Sequence, residues 1–396
     1  MPDESYESLP RFCICKTAAF LFLLFMVEEG WTCPLRIIVL ERKEEKMLSK
    51  TTLVDAMVSG HSHLREPREI TEPLVRYLIE GGVDTILPMP NTDKGLTDTE
   101  KTMDYVKVVE GCVPPGDGPV KIIPCMMLTE KTYVHELQEA ARVGIRDVKV
   151  YPLNRTTKSQ NGVRHYGRLI RLVKVCAELG IRTHWHFEHP WMLFDNRDAE
   201  YMCLPIADMM LNETDAVIFW EHGSDARCIP FWKDLSKSRR FVVTLSAHHL
   251  ATNEDATFGD VGATCKPPIK TRRDQRDLVL LVDENNPWVI AGPDDAAHPI
   301  GVKYVAGTRC ACGAYTGPFL IALYAHALSH LFSTVEGISV FNNFVSRYPR
   351  KWFGLAEASR QVKLIHEQFK IPPIYNVGPW IVGPFWAGQT IDYTIG

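Results

Sequence analysis

Two histidines one residue apart, His61 and His63, close an apolar run that begins at Leu53. In an extended strand, residues i and i+2 point to the same side, so both imidazoles can reach one metal ion from the strand tip. Alone, a His-x-His pair is equally well a surface coincidence. The other histidines bear on the choice. Nine of the fourteen fall in a few short segments at the ends of apolar runs: the pair above, His184, His186 and His189 together, then His222, His248 with His249, and His298. Asp294 and Asp295 stand just before His298, and Lys149 lies inside the apolar run Val148–Tyr151. Such a gathering of imidazoles and carboxylates makes a metal site the preferred reading. A lysine within an apolar strand is costly unless paired or modified. Reaction with CO2 would turn its amine into a carbamate anion able to bridge two cations. The plainer alternative is a lysine snorkelling from a strand end.

Residues so far apart in sequence need a frame that collects strand ends. From about residue 47 onward, short β-branched runs alternate with segments of helical period. The candidate strands are Val54–Val58, Asp84–Met89, Lys121–Met127, Asp147–Tyr151, Arg182–His186, Ala216–Trp220, Phe241–Leu245 and Trp288–Ala291. Helical stretches lie between them, among them Thr99–Val109, Lys131–Val143, Gly167–Leu179 and Thr271–Asp283; Ala251 to Lys270 reads as a long irregular connection. Eight strands alternating with helices predict an α/β chain closed as a (β/α)8 TIM-type barrel, which would gather the metal site at the C-terminal strand ends. An open doubly wound sheet is the alternative, but no G-x-G-x-x-G follows any strand, so its usual dinucleotide-binding form is unsupported. The region holding His326, His330 and His366 reads as late helix, and those histidines as bland.

Composition narrows the partners. The chain is 45% hydrophobic and 23% charged with a net charge of −4, which suits a large core and gives no basic footprint for nucleic acid. Eleven cysteines without a repeated spacing read as reduced thiols in an intracellular, cytoplasmic protein. The apolar run Ala18–Val27 is too short to span a bilayer, and no small-x-small cleavage site follows it. Residues 1–46 are therefore set apart as an N-terminal extension of unknown role, residues 47–396 as the barrel domain, and no membrane partner is expected.

Taken in order, the segments His61-Ser62-His63-Leu64-Arg65, Met89-Pro90-Asn91, Lys149-Val150-Tyr151-Pro152, Thr156-Thr157, Glu221-His222, Ala247-His248-His249-Leu250, Cys265-Lys266-Pro267-Pro268 and Asp294-Asp295-Ala296-Ala297-His298-Pro299 resemble the metal-dependent cyclic amidohydrolases. Within them the chain is similar to the dihydroorotase family of the single-domain bacterial and fungal type, from about residue 50 to the end. The resemblance implies that the metal site is binuclear, with two zinc ions per chain. His61, His63 and Asp294 would hold the first, His186 and His222 the second, and N6-carboxylated Lys149 would bridge them. Arg65, Asn91 and His298 would bind a substrate carboxylate. Thr156 and Thr157 would fall in a mobile lid, and backbone near Cys265 and Lys266 would meet a pyrimidine ring. Asp294 would shuttle the proton as N-carbamoyl-L-aspartate closes reversibly to dihydroorotate and water, the third step of pyrimidine synthesis. A homodimer is expected on the same ground. Periodicity alone does not separate His184 from His186; the choice follows the family's His-Gly-Glu, which here reads His186-Phe187-Glu188.

The chain departs from the family at Ser59, where an Asp is usual, and at Pro293-Asp294-Asp295. Alternation points Asp295 away from the site, so its removal is expected to cost little. Two rival readings remain: a hydantoinase or dihydropyrimidinase sharing the metal set, and a catalytically silent homologue acting as an assembly partner.

Overall fold

The C-terminal strand ends meet because the strands close into a ring. The computed structural model describes residues 48–116, 118–304 and 310–396. The described residues lie in one compact unit, Met47–Gly396; the expected extension 1–46 lies outside them. Strand β1 (Thr51–Asp55) is followed, after Ala56, by β2 (Met57–His63), whose residues are all buried. Parallel pairing then runs from β2 to β3 (Val83–Pro88) and from β3 to β4 (Lys121–Ile122). It resumes at β5 (Cys125–Met127) and continues through β6 (Asp147–Val150), β7 (Arg182–Trp185), β8 (Ile218–Trp220) and β9 (Phe241–Leu245) to β10 (Val289–Ala291). The short β11 (Asp295–Ala296) returns to β2, with Asp295 opposite Ser62 and Ala296 opposite His63. Helices occupy the intervening segments, for instance Arg68–Glu80, Thr99–Glu110, Val134–Arg142, Ile170–Glu178 and Arg272–Asp283. The result is a (β/α)8 barrel.

Two positions of the ring are filled by broken strands, and a proline sits at each break. Lys121–Met127, expected as one strand, divides at Ile123-Pro124. The last strand divides at Gly292-Pro293, so β10 pairs with β9 and β11 with β2. Proline has no N–H to give to a ladder, and the strand changes partner there.

The apolar interior lies in two layers. A large one fills the space between strands and helices. A smaller one, with Val58, Leu87, Phe219, Val242 and Ile290, fills the barrel below the site. Phe353, from the helix Tyr348–Phe353, closes this inner layer from below. Arg350 of the same helix bonds both carboxylate oxygens of Asp84 at 2.5 and 2.6 Å.

Two sequence expectations are corrected. Val54–Val58 is not one strand but the end of β1 and the start of β2. β1 leaves the barrel and pairs antiparallel with β12 (Gln361–Lys370), which in turn pairs with β15 (Thr390–Ile395). His366 consequently lies in a strand and not in late helix, with its ring 5.2 Å from that of Tyr393. A hairpin of β13 (Tyr375–Val377) and β14 (Trp380–Val382) completes the C-terminal segment.

Candidate active site

β2 ends by delivering His61 and His63 to the top of the barrel. The Nε2 atoms of both lie 3.2 Å from the same oxygen of Asp294. Each ring is fixed from behind. His61 Nδ1 donates to Glu221 at 3.1 Å, and His63 Nδ1 donates to the Asn91 side-chain oxygen at 2.8 Å. With the proton held on Nδ1, both Nε2 lone pairs are left to face a cation. Burial pushes His63 down to about 3, with Arg65 adding to the effect against Asp294. Burial alone would raise Asp294, but charge on and hydrogen bonds from His61 and His63, when these are protonated, lower it well below the usual carboxylate range.

Lys149 and His222 carry the clearest orphaned polar atoms of the site. Lys149 is fully buried, and its Nζ has no hydrogen-bond partner. Burial lowers its pKa to about 8, against Glu221 and Asp294. The uncharged amine, the form able to react with CO2, is therefore more populated near neutral pH than in an ordinary lysine, though still the minor form. His222 is buried with both ring nitrogens unpartnered, 4.4 Å from the His186 ring and 5.2 Å from the His61 ring. Orphaned buried polar atoms are rare and costly. Four imidazoles (His61, His63, His186 and His222), the Asp294 carboxylate and the Lys149 amine form a donor set that fits a pair of divalent cations. His186 Nε2 donates to Glu188 at 2.6 Å, leaving Nδ1 available.

Backbone geometry supports the same place. Arg65, His222 and Asp294 have φ of 56°, 45° and 49°, a region that non-glycine residues seldom occupy. Such strain persists where the surroundings over-determine it, and it concentrates at functional sites. Gly292 shows how tightly the last strand approaches: a Cβ there would meet Thr244 Cβ at 2.5 Å. Thr244 in turn accepts the His222 N–H at 2.7 Å and donates to Glu221 at 2.8 Å.

A small cavity, about 330 Å³ including its mouth, is bounded by His61, His63, Arg65, Asn91, Tyr151, Thr156, Thr157, His186, Lys266 and Asp294. Arg65 donates through Nε to the Ala297 carbonyl and lies 3.1 Å from His298 Nε2. Asn91 donates to the Thr157 carbonyl, so its amide ties His63 to the Thr156-Thr157 segment. Cys265 does not line the cavity; its thiol donates to the Pro267 carbonyl at 3.2 Å. A larger open groove beside Glu130, Lys131 and Arg164 holds none of these residues.

His184, left open by periodicity, is committed elsewhere. Its two nitrogens face Glu221 at 2.6 Å and Asp147 at 2.9 Å. Burial would lower its pKa, but these two carboxylates raise it. An imidazole between two carboxylates keeps both protons and offers no lone pair to a metal. His248 and His249 form a second cluster with Cys265. His249 Nε2 donates to the Pro267 carbonyl at 3.1 Å, so that nitrogen carries a proton and is not a ligand. Asp295 turns away from the histidines, but it is not idle: one oxygen accepts the Thr316 and Gly317 N–H groups at 2.6 and 2.8 Å. Ser59 is buried and bonds Ser62 at 2.5 Å. Sequence reasoning gave no role to Glu221, Glu188 or Thr244; their adjacency to His222, His186 and the β9 tip was the available signal.

No family model matches the chain. Among curated proteins it is similar to a probable dihydroorotase of Schizosaccharomyces pombe, 28% identical over 324 residues, covering 81% of this chain and 92% of the relative. A dihydroorotase of Coxiella burnetii is 27% identical over 346 residues, 85% of this chain and 95% of the relative. Among solved structures, dihydroorotase from Saccharomyces cerevisiae in complex with 5-fluoroorotic acid superposes with a TM-score of 0.78 at 25% identity, over 87% of this chain and 98% of that one. The L-hydantoinase of Arthrobacter aurescens shares the fold, with a TM-score of 0.73 at 13% identity over 87% and 83% of the two chains. The sequence relatives and the barrel geometry agree: the chain is similar to dihydroorotases along most of its length and shares their fold.

Proposed function

We propose that the protein is a dihydroorotase, interconverting N-carbamoyl-L-aspartate with (S)-dihydroorotate and water in the third step of pyrimidine synthesis. One observation carries the reading: Arg65, braced by Ala297 and His298, lines the same small cavity into which His61, His63 and Asp294 converge. A planar guanidinium binds both oxygens of a carboxylate, the group that distinguishes dihydroorotate from uncharged cyclic amides. His61, His63 and Asp294 would hold one zinc ion, His186 and His222 a second, with carboxylated Lys149 between them. When bound, such ions lower the pKa of water and polarise an amide carbonyl. Asp294 takes the proton from the attacking water and returns it to the departing ring nitrogen. Arg65, Asn91 and His298 orient the substrate carboxylate, Thr156 and Thr157 close one wall, and backbone near Cys265 and Lys266 meets the ring.

The curated relatives favour this activity over a hydantoinase, whose likeness is one of fold, and over a silent homologue, since the donor set is complete. The eight free cysteines among the described residues support a cytoplasmic protein. Among those residues no helix is long and apolar enough to cross a membrane. The homodimer rests on the family resemblance. The test pairs elemental analysis with turnover. The reading expects about two zinc ions per chain and hydrolysis of dihydroorotate but little of dihydrouracil. Arg65→Met is expected to lose roughly 2–5 kcal/mol of transition-state stabilisation, the range for truncating one partner of a buried charge pair. Equal turnover of both substrates by the wild type overturns this reading in favour of a dihydropyrimidinase. Turnover of neither leaves the silent homologue.

A further inference from the structure

We propose that Arg155 is a positioning residue that couples the cavity wall formed by Thr156 and Thr157 to His186 through Glu188; the inference rests on reading His186 as a metal ligand. Arg155 immediately precedes the two threonines and is buried. Its guanidinium donates to the Phe194 and Asp195 carbonyls at 3.1 and 3.0 Å, tying this segment to the loop after β7. Its Nε has no hydrogen-bond partner and faces Glu188 Oε1 at 3.9 Å. That oxygen is also buried and unpartnered, while the other oxygen of Glu188 accepts from His186 Nε2 at 2.6 Å. Lys266 Nζ, on the cavity wall, lies 3.8 Å from the same Glu188 oxygen.

A buried donor and a buried acceptor of opposite charge, both unsatisfied and facing each other, form a poised contact. Each pays the cost of desolvation without the bond that offsets it. An approach of about 1 Å brings the pair to hydrogen-bond distance. Because Thr156 and Thr157 follow Arg155 directly, that approach moves the cavity wall. Because Glu188 holds the far nitrogen of His186, the same approach sets the orientation of that ring. Neither Arg155 nor Glu188 lines the cavity, so both act through other residues.

The test is a double-mutant cycle in the full chain with Arg155→Met and Glu188→Gln. Arg155→Met is expected to raise KM for dihydroorotate about tenfold or more, with a smaller fall in kcat, and Arg155→Lys to recover most of the loss. In the Glu188→Gln background the same substitution is expected to change KM by less than about twofold. A parallel readout is the rate of zinc transfer to a chromogenic chelator, expected to rise in Arg155→Met but not further in the double variant. This readout stands even if the wild type does not turn over dihydroorotate, an outcome that removes the proposed function and not the coupling. Effects that add fully across the two sites, or a change confined to Tm, overturn the proposal. If Arg155→Met does not fold, Arg155→Gln, which keeps a donor for the two carbonyls, runs through the same cycle under the same criteria.

Discussion

At the scale of residues, the site is defined by what lacks a partner. Lys149 Nζ and both nitrogens of His222 are buried without hydrogen bonds. Lys149→Ala is expected to abolish turnover and lower zinc content, because it removes negative charge that the carbamate would place between two cations. Partial rescue by short carboxylic acids with zinc supports the carbamate; full activity in the variant rejects it. The neighbouring aspartates separate by partner. Asp294→Ala removes the carboxylate shared by His61 and His63 and is expected to destroy turnover while leaving substrate binding partly intact. Asp295→Ala leaves the Thr316 and Gly317 N–H groups unsatisfied and is expected to cost about 1–3 kcal/mol of stability with metal content retained. The cost of removing Asp295 is thus expected to fall on stability, with little on turnover, as strand alternation implies. Kinetics, zinc content and urea denaturation of the two variants together check the assignment; a dead Asp295→Ala beside an active Asp294→Ala would shift the register by one.

At the scale of elements, prolines and caps decide where ladders and helices begin and change. Pro124 and Pro293 break two barrel strands, and the second break places Asp294 at the turn between β10 and β11. Helix Arg272–Asp283 starts at a capping box in which Thr271 and Asp274 satisfy each other's backbone N–H. Asp274 also pairs with Arg197 and accepts the Ala226 N–H. Burial would raise its carboxyl, but Arg197, Thr271 and Ala226 hold it below its ordinary value of 3.8. A depressed carboxyl contributes stability that is present above its unfolded pKa and lost as pH falls through the folded one. Asp274→Asn is therefore expected to cost about 1–2 kcal/mol at pH 7, with the difference from wild type shrinking as pH falls below about 4. Urea midpoints at pH 7 and pH 3 measure this; a difference that does not change with pH counts against it.

At the scale of the whole molecule, the barrel floor and the site form one stack. Phe353 closes the floor, and its ring lies parallel to that of His184 at 5.9 Å. His184 bonds Glu221, and Glu221 bonds His61. A residue of the C-terminal third thus supports a candidate ligand near the start of the domain. Phe353→Ala is expected to cost about 3–5 kcal/mol and to weaken zinc retention, although Phe353 is not itself a proposed ligand. Calorimetry with and without chelator separates the two effects, because metal bound to the folded state adds its own stabilisation. A variant with lowered Tm but wild-type zinc retention shows that the stack does not reach the site.

The alternation of short apolar runs with helical segments was enough to predict the barrel, because strand alternation and helical period are short-range patterns. The donor set of His61, His63, Lys149, His186, His222 and Asp294 came from the resemblance to the dihydroorotase family, since periodicity left His184 and His186 equal. Tertiary structure alone decided the rest. It set His184 between two carboxylates and left His222 without partners, because hydrogen-bond partners come from other strands. It sent β1 to a separate sheet with β12 and placed His366 in a strand, because pairing over some three hundred residues leaves no local signal. It also turned Asp295 onto the backbone of residues 316–317. Sequence carries the identity of a side chain and the period of its element; which buried polar atoms find partners is settled only when distant segments pack.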